Sequence, residues 1–103
     1  MSRVVVIDVV GLTGDLLRHA PNVSALGRDG FAAPLDTVLP AVTCTVQSTM
    51  LTGRAPAGHG IVANGWYFRD LSEVWLWRQS NRLVDGDKVW HEARRRDPAV
   101  TVA

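Results

Sequence analysis

Residues 39–67 read LPAVTCTVQSTMLTGRAPAGHGIVANGWY, and the interpretation of the whole chain depends on this stretch. Pro40 favours an extended approach, because proline disfavours the helical region for the residue before it. The run from Cys44 to Leu51 is compatible with a helix, and Gly53 stands where a glycine commonly ends one. Thr43 is therefore predicted at or near the N-cap of this helix.

Thr43 has two interpretations at that position. A hydroxyl at an N-cap usually accepts a hydrogen bond from an amide of the first turn, and this is the ordinary role of such a threonine. The free amides and the positive end of the helix dipole also attract anions. A hydroxyl there is placed to attack a phosphorus whose oxygens the amides hold. It needs a metal or a base for activation, because an alcohol is a weak nucleophile.

Composition narrows the class of protein. The chain has 103 residues, enough for one small domain, with 47% hydrophobic and 20% charged residues, as in ordinary globular proteins. The net charge of +1 gives no case for binding nucleic acid or an acidic membrane surface. No stretch approaches the ~20 apolar residues of a membrane helix, and Asp8 interrupts the first apolar run too early for a signal peptide. The single cysteine, Cys44, excludes an intrachain disulfide, so we expect a soluble, cytoplasmic protein.

Several segments are predicted as strands. Val4–Val10 is β-branched almost throughout, which is typical of a strand buried on both faces of a parallel sheet. Phe31–Leu35 is predicted as a short edge strand and Ala99–Ala103 as a further strand. Glu73–Arg78 is compatible with a strand or with a helical turn.

Helices are predicted between these strands. Pro21–Gly30 has proline in its first turn and glycine beyond its end, and a shorter helix is predicted over Asp15–His19. Asp87–Arg96 is predicted as a helix whose final arginines are exposed to solvent, and Ala55–Gly65 as a loop. The order predicts an α/β protein. Two or three parallel strands leave apolar edges uncovered, so we expect residues 1–103 to be the N-terminal part of a larger domain.

A set of short motifs occurs in one order along the central stretch: Pro40 to Thr43, Thr52-Gly53-Arg54, Pro56, His59-Gly60-Ile61 and Asn64. Together they resemble the nucleophile region of the alkaline phosphatase superfamily, in the branch of type I phosphodiesterases and nucleotide pyrophosphatases. Residues 40–45 (PAVTCT) and 64–67 (NGWY) are most similar to phosphonoacetate hydrolases and their relatives. The chain departs from relatives at Asp8, which is followed by Val9 where they often have glycine.

The resemblance implies a fold and a set of site residues. The fold is an alkaline-phosphatase-like α/β/α sandwich with a mostly parallel sheet, of which residues 1–103 are a partial catalytic domain. The complete enzyme holds two zinc ions, with Asp8 and Thr43 as ligands. Thr43 is also the nucleophile, and Asn64 donates to a phosphoryl oxygen. The substrate is a small phosphoester or phosphonate, and the oligomeric state is left open.

The residue types agree with these roles but also have simpler explanations. A carboxylate within Val6–Val9 is costly to bury unless it is paired or binds a metal, and Asp8 also suits a turn beside Gly11. The amide NH₂ of Asn64 suits stabilisation of a phosphoryl oxygen, as does the backbone amide of Cys44, while Asn64-Gly65 alone predicts a turn. The Cys44 side chain is predicted as a small buried group.

Other polar residues are predicted as structural. His59 is expected to order its loop by hydrogen bonding, and Arg54 to form an ion pair. Asp87 and His91 share one face of a predicted helix, as a metal-binding pair would. We discount that pair, because it follows Thr43 too soon and Asp87 suits the start of a helix. No Asp-His dipeptide occurs.

Two functions from different classes follow. The first is a zinc-dependent hydrolase that cleaves a phosphodiester, pyrophosphate or phosphonate bond through a phospho-threonine intermediate, and is inactive as these 103 residues alone. The second is a non-catalytic remnant that serves as a binding or interaction module. A continuation of the gene beyond Ala103 with further Asp and His ligands favours the enzyme, and a stop codon there favours the remnant.

Overall fold

The computed structural model describes residues 3–77 and 80–103, in two compact units, Met1–Asp36 and Thr37–Ala103. The described residues form helices and one antiparallel pair of strands, which is an α/β composition. In chain order these elements are α1 (Pro21–Asp29), α2 (Thr43–Thr52), α3 (Pro56–His59), β1 (Gly65–Phe68), β2 (Glu73–Leu76) and α4 (Val89–Arg96), with 3₁₀ helices at Gly14–His19 and Asn81–Leu83.

The first unit contains the 3₁₀ helix Gly14–His19 and α1, which confirms both helices predicted there. Pro21 occupies the first helical position of α1, where its fixed φ suits a helix and its missing N–H costs nothing. The hydroxyl of Ser24 donates to the carbonyl of Leu17 at 2.6 Å. This hydrogen bond joins α1 to the 3₁₀ helix before it.

The prediction of a buried strand over Val4–Val10 is wrong for this structure. The segment pairs with no other strand among the described residues, and its apolar side chains are exposed, Val4 by 88%. The predicted strands Phe31–Leu35 and Ala99–Ala103 are likewise unpaired there. Sequence favours an extended backbone, but a strand also needs a neighbour that pairs with its N–H and C=O groups.

In the second unit, α2 begins at Thr43 itself, whereas an N-cap at Thr43 would make Cys44 the first helical residue. Val42 is the N-cap, with extended φ and ψ, and Thr43 is the first helical residue. Gly53 follows the helix with φ +65°, the left-handed conformation that glycine adopts without a steric penalty. The predicted end of the helix is therefore confirmed, while the predicted cap moves by one position.

The stretch predicted as a loop, Ala55–Gly65, contains the single-turn helix α3. Pro56 starts the turn, and Gly60 ends it with φ +78°. These two residues are common helix start and stop signals, so a short turn between them is understandable. Gly65 then belongs to β1.

The only strands in the described part of the chain form a hairpin. Trp66 pairs with Trp75, and the rings of Phe68 and Trp75 lie 4.7 Å apart. Of the two interpretations left open for Glu73–Arg78, the structure has the strand, over Glu73–Leu76, while Arg78 lies outside the described residues. Trp77 has φ +60°, so the chain leaves the strand there, and its side chain is exposed.

Helix α4 is the last element. It starts after Lys88, two residues later than predicted, and its C-cap is Asp97, before the proline expected to end it. Its three arginines are exposed, which confirms the predicted solvated helix end. Within residues 3–77 and 80–103, no helix has the length and apolar character needed to cross a membrane.

Candidate active site at the start of helix α2

The first turn of α2 needs hydrogen-bond acceptors from elsewhere in the chain. The first intrahelical hydrogen bond runs from the Val46 amide to the Val42 carbonyl at 3.0 Å, so the amides before Val46 have no acceptor within the helix. A valine at the N-cap has no side-chain oxygen to supply one. The start of α2 is therefore an uncapped cluster of donors unless another segment reaches it.

Asn64 supplies one of the missing acceptors. Its side-chain Oδ1 accepts a hydrogen bond from the Cys44 amide at 2.9 Å, across 20 positions of sequence. A backbone N–H can only donate, so the atom facing it is the oxygen of the asparagine amide. The Nδ2 group belongs to the same small planar amide. Asn64 thus brings an NH₂ donor to the helix end at which Thr43 stands.

The backbone of Asn64 is held as well. Its carbonyl accepts from the Trp77 amide at 3.0 Å, at the open end of the β1–β2 hairpin. The side chain of Asn64 is therefore attached to α2 and its main chain to the hairpin. The capping contact of Asn64 was not predicted from the sequence, and its role as a donor to a phosphoryl oxygen stays a prediction.

Thr43 is the first residue of α2, and its role as a nucleophile stays a prediction. It is half-buried, and its hydroxyl makes no hydrogen bond to any residue in the described part of the chain. The Cys44 amide donates to Asn64, and its predicted contact with a phosphoryl oxygen stays a prediction. The thiol of Cys44 is free and half-buried.

His59 is fully buried and contacts α2 farther along the helix, at Thr49. Its Nδ1 accepts from the Ile61 amide at 3.1 Å, and its Nε2 lies 3.0 Å from the hydroxyl oxygen of Thr49 on α2. Its carbonyl accepts from the Asp85 amide at 3.0 Å. The expectation that His59 orders its loop by hydrogen bonding is confirmed.

The proposed zinc ligands lie in different units. Asp8 belongs to Met1–Asp36, in the exposed extended segment, and Thr43 belongs to Thr37–Ala103. Their convergence on one ion therefore stays a prediction. The donor types fit zinc, which accepts carboxylate oxygen, but three protein ligands are usual in a catalytic site. Within the described ranges, no three His, Cys, Asp or Glu side chains gather where they could hold a metal.

The alternative pair, Asp87 and His91, is engaged in other contacts. The Asp87 carboxylate binds Arg95 at 2.6 Å, and this hydrogen bond and charge hold the pKa of Asp87 below its ordinary value. His91 Nδ1 lies 3.4 Å from Asp87 but accepts the Lys88 amide at 3.2 Å. His91 Nδ1 therefore lies close to both a backbone donor and a carboxylate of the chain itself.

Two basic residues, Lys88 and Arg54, have structural surroundings. Lys88 is buried, and its Nζ donates to the carbonyls of Val84 at 2.7 Å and Gly86 at 3.0 Å. Lys88 was not predicted as a structural residue, because no local sequence pattern marks it. Arg54 forms no ion pair in the part of the chain that the structure describes, contrary to expectation. Its guanidinium packs on Gly86, where a Cβ would lie 2.7 Å from Cζ.

The match to a known family covers almost the whole chain. The family model of type I phosphodiesterases and nucleotide pyrophosphatases matches residues 4–103. The chain therefore belongs to the type I phosphodiesterase/nucleotide pyrophosphatase family, whose members are hydrolases of phosphoester bonds. No curated protein and no solved structure matches the chain.

Proposed function

We propose that Thr43 is the nucleophile of a zinc-dependent hydrolase that cleaves phosphodiester, pyrophosphate or phosphonate bonds. The family match supports the hydrolase class. The observation that carries the site is the hydrogen bond of 2.9 Å between the Cys44 amide and Asn64, because it places an amide side chain beside Thr43. When a small phosphoester binds, the Thr43 hydroxyl and the Asn64 amide would contact the same phosphoryl group.

The chain's own residues supply an attacking group and a donor. The Thr43 oxygen forms a bond to phosphorus as the bond from phosphorus to the leaving group breaks, which gives a phospho-threonine that water then hydrolyses. The Nδ2 group of Asn64 donates to a phosphoryl oxygen as negative charge develops on it. A bound zinc ion would lower the pKa of the attacking hydroxyl and neutralise phosphoryl charge.

The metal site would include Asp8 and Thr43, with two zinc ions in the working enzyme. Because a catalytic zinc takes about three protein ligands, we expect the 103 residues alone to bind zinc weakly and to turn over no substrate. A threonine hydroxyl becomes a good ligand only when deprotonated, so these two residues do not build the site by themselves.

The fold proposal extends from the same resemblance. It is a mostly parallel sheet in an α/β/α sandwich, with residues 1–103 as part of the catalytic domain. The order of the motifs from Pro40 to Asn64, together with the family match, supports this proposal. The similarity of residues 40–45 and 64–67 to phosphonoacetate hydrolases makes phosphonoacetate one substrate to assay.

The test uses the 103-residue chain and any longer product of the same reading frame. Each is assayed with added zinc on a chromogenic phosphodiester and on phosphonoacetate, and its zinc content is measured. We expect zinc-dependent turnover only in the longer product, and a phosphoryl adduct on its Thr43 after acid quench. In the longer product, Thr43→Ala should abolish turnover and Thr43→Ser should keep part of it. Full activity of Thr43→Ala would refute the nucleophile. Inactivity of every form would favour the non-catalytic module.

A further inference from the structure

We propose that His59 is a positioning residue that holds Asn64 at the start of α2. The proposal rests on the function proposed for Asn64, but its structural part can be tested without any turnover. Two hydrogen bonds join the segment 59–64 to α2: the Asn64 contact, from the Cys44 amide to Oδ1, and the His59 contact, between Nε2 and the Thr49 hydroxyl.

The donors and acceptors of the His59 contact follow from its neighbours. Nδ1 accepts the Ile61 amide, so in the neutral ring the proton is on Nε2. Nε2 then donates to Thr49 Oγ1, and that hydroxyl donates its own hydrogen to the Thr45 carbonyl at 2.9 Å. Each atom in this chain of bonds has one role, and the imidazole is fully buried, so no water takes the place of a lost partner.

The two contacts fix the segment along the helix. Cys44 and Thr49 are five positions apart on α2, a rise of about 7.5 Å, and His59 and Asn64 are also five positions apart. The segment runs opposite to α2, because the later residue contacts the earlier helix position. Without the His59 contact, the start of the segment would be free to shift along α2 and to strain the Asn64 contact. Attached at both ends, it sets where the Asn64 amide lies.

The ring also sets the conformation of the segment it anchors. Its Nδ1 accepts from Ile61, two residues later, across Gly60 with φ +78°. His59 therefore determines both where the segment starts on α2 and the direction in which it leaves. Ile61 is fully buried at this bend, so the bend is packed as well as hydrogen-bonded.

Two substitutions distinguish the roles of the two ring nitrogens of His59. His59→Asn keeps an acceptor in the place of Nδ1 but loses the donor to Thr49, and His59→Gln keeps a donor in the place of Nε2 but loses the acceptor for Ile61. Thr49→Val breaks the same contact from the helix side, and Thr49→Ser restores its hydroxyl. Thr45→Val is the matched control, because the Thr45 hydroxyl is buried without a partner in the described residues.

The structural test is amide hydrogen exchange in the 103-residue chain. The Cys44 amide reports the Asn64 contact, and the Gly53 amide, which donates to the Thr49 carbonyl, reports the far end of α2. We expect His59→Asn and Thr49→Val to raise the exchange rate of the Cys44 amide at least tenfold more than that of the Gly53 amide. Thr49→Ser and Thr45→Val should leave the ratio of these two exchange rates unchanged. Equal factors at both amides, or no change at Cys44, would overturn the proposal. Should His59→Asn fail to fold, Thr49→Val decides.

The kinetic test applies to a form that turns over substrate. If His59 acts through Asn64, His59→Gln lowers kcat by about tenfold to a hundredfold, as misplacement of a catalytic group does, and adds nothing in an Asn64→Ala background. Independent, multiplying losses would overturn the positioning role. If no form turns over substrate, the proposed function fails, whereas the exchange measurement still decides the role of His59.

Discussion

The segment around α2 and the helix α4 use polar side chains in opposite ways. Between Thr43 and Asn64 the cross-segment hydrogen bonds are few, and one of them involves the fully buried His59. On α4 the charged contacts are many and exposed: Arg95 with Asp87 and Glu92, and Arg96 with Glu92.

The number of polar contacts in a region therefore does not measure how much they contribute to its stability. A buried group that loses its partner pays the full cost of desolvation, about 1–3 kcal/mol, because water does not replace the partner. Exposed ion pairs exchange their partners for water and salt, and many of them contribute nothing measurable. We therefore expect substitutions near α2 to matter and those on α4 to matter little.

The largest effect is expected at Asn64. In a form that turns over substrate, Asn64→Ala should lower kcat about 10²- to 10³-fold, as loss of one donor to a developing oxyanion does. Zinc content should stay normal, because Asn64 is not a proposed ligand. Steady-state kinetics and metal analysis measure both. Loss of zinc with unchanged activity per bound metal would contradict the assignment.

Asn64→Asp sharpens this test, because it separates the donor from the helix cap. The aspartate keeps an oxygen for the Cys44 amide but has no NH₂ group to donate. We expect its stability to stay close to that of the parent chain while its turnover falls as in Asn64→Ala. Asn64→Ala should in addition lose about 1 kcal/mol of stability, the usual contribution of a capping side chain.

The next effect compares two threonines one turn apart on α2. Thr49→Val removes the acceptor of the buried His59 Nε2–H and should lower the free energy of unfolding by about 1–3 kcal/mol. Thr45→Val removes a buried hydroxyl with no partner in the described part of the chain, and should be neutral or stabilising. Urea unfolding of both variants measures the difference. Equal losses would show that the His59 contact has no special weight.

A smaller effect is expected where α2 ends. Gly53 has φ +65°, so Gly53→Ala should destabilise by about 1 kcal/mol, the cost of a left-handed conformation for a residue with a Cβ. Gly27, inside α1, is the control, since a Cβ there would meet the Ala32 Cβ at an ordinary 3.5 Å. Gly27→Ala should instead be stabilising, because alanine favours helix interiors. Thermal unfolding that shows the same sign for both would contradict the backbone argument.

The smallest effect is expected on α4. Hydrogen bonds from Arg95, together with those from Arg96 to Glu92, lower the pKa of Asp87 and of Glu92 from their ordinary values of 3.8 and 4.5. A carboxyl group whose pKa is lower in the folded state stabilises that state at pH values above its ordinary pKa. This stabilisation is lost as the pH falls through the folded-state pKa, below about 4.5 for Glu92 and 3.8 for Asp87.

Arg95→Gln tests whether the exposed ion pairs of Arg95 contribute little to stability. It should lower the thermal midpoint slightly at neutral pH and low salt, and not at all in about 1 M salt, where the Debye length is about 3 Å. The difference from the parent chain should also disappear at acidic pH. A loss as large as that of Thr49→Val, insensitive to salt, would break the contrast between the two regions.

Much of the local structure could be predicted from the sequence. Both ends of α1 and the end of α2 at Gly53 follow from signals within a few residues, whereas Glu73–Leu76 could be read as a strand or a helical turn. Strand pairing could not be predicted in this way. Val4–Val10 has the composition of a buried strand and yet is exposed, since pairing depends on a neighbour that the segment does not itself specify.

For the site, the residue types and their order could be predicted from the sequence: a threonine at a helix start, a histidine in a loop and an asparagine before Gly65, enough to place the chain in its family. The tertiary structure was needed to show that Asn64 caps α2 through the Cys44 amide and that His59 contacts Thr49. Local signals act through the backbone of adjacent residues. A capping partner 20 positions away is set by how the chain packs, and no pattern within one element contains that information.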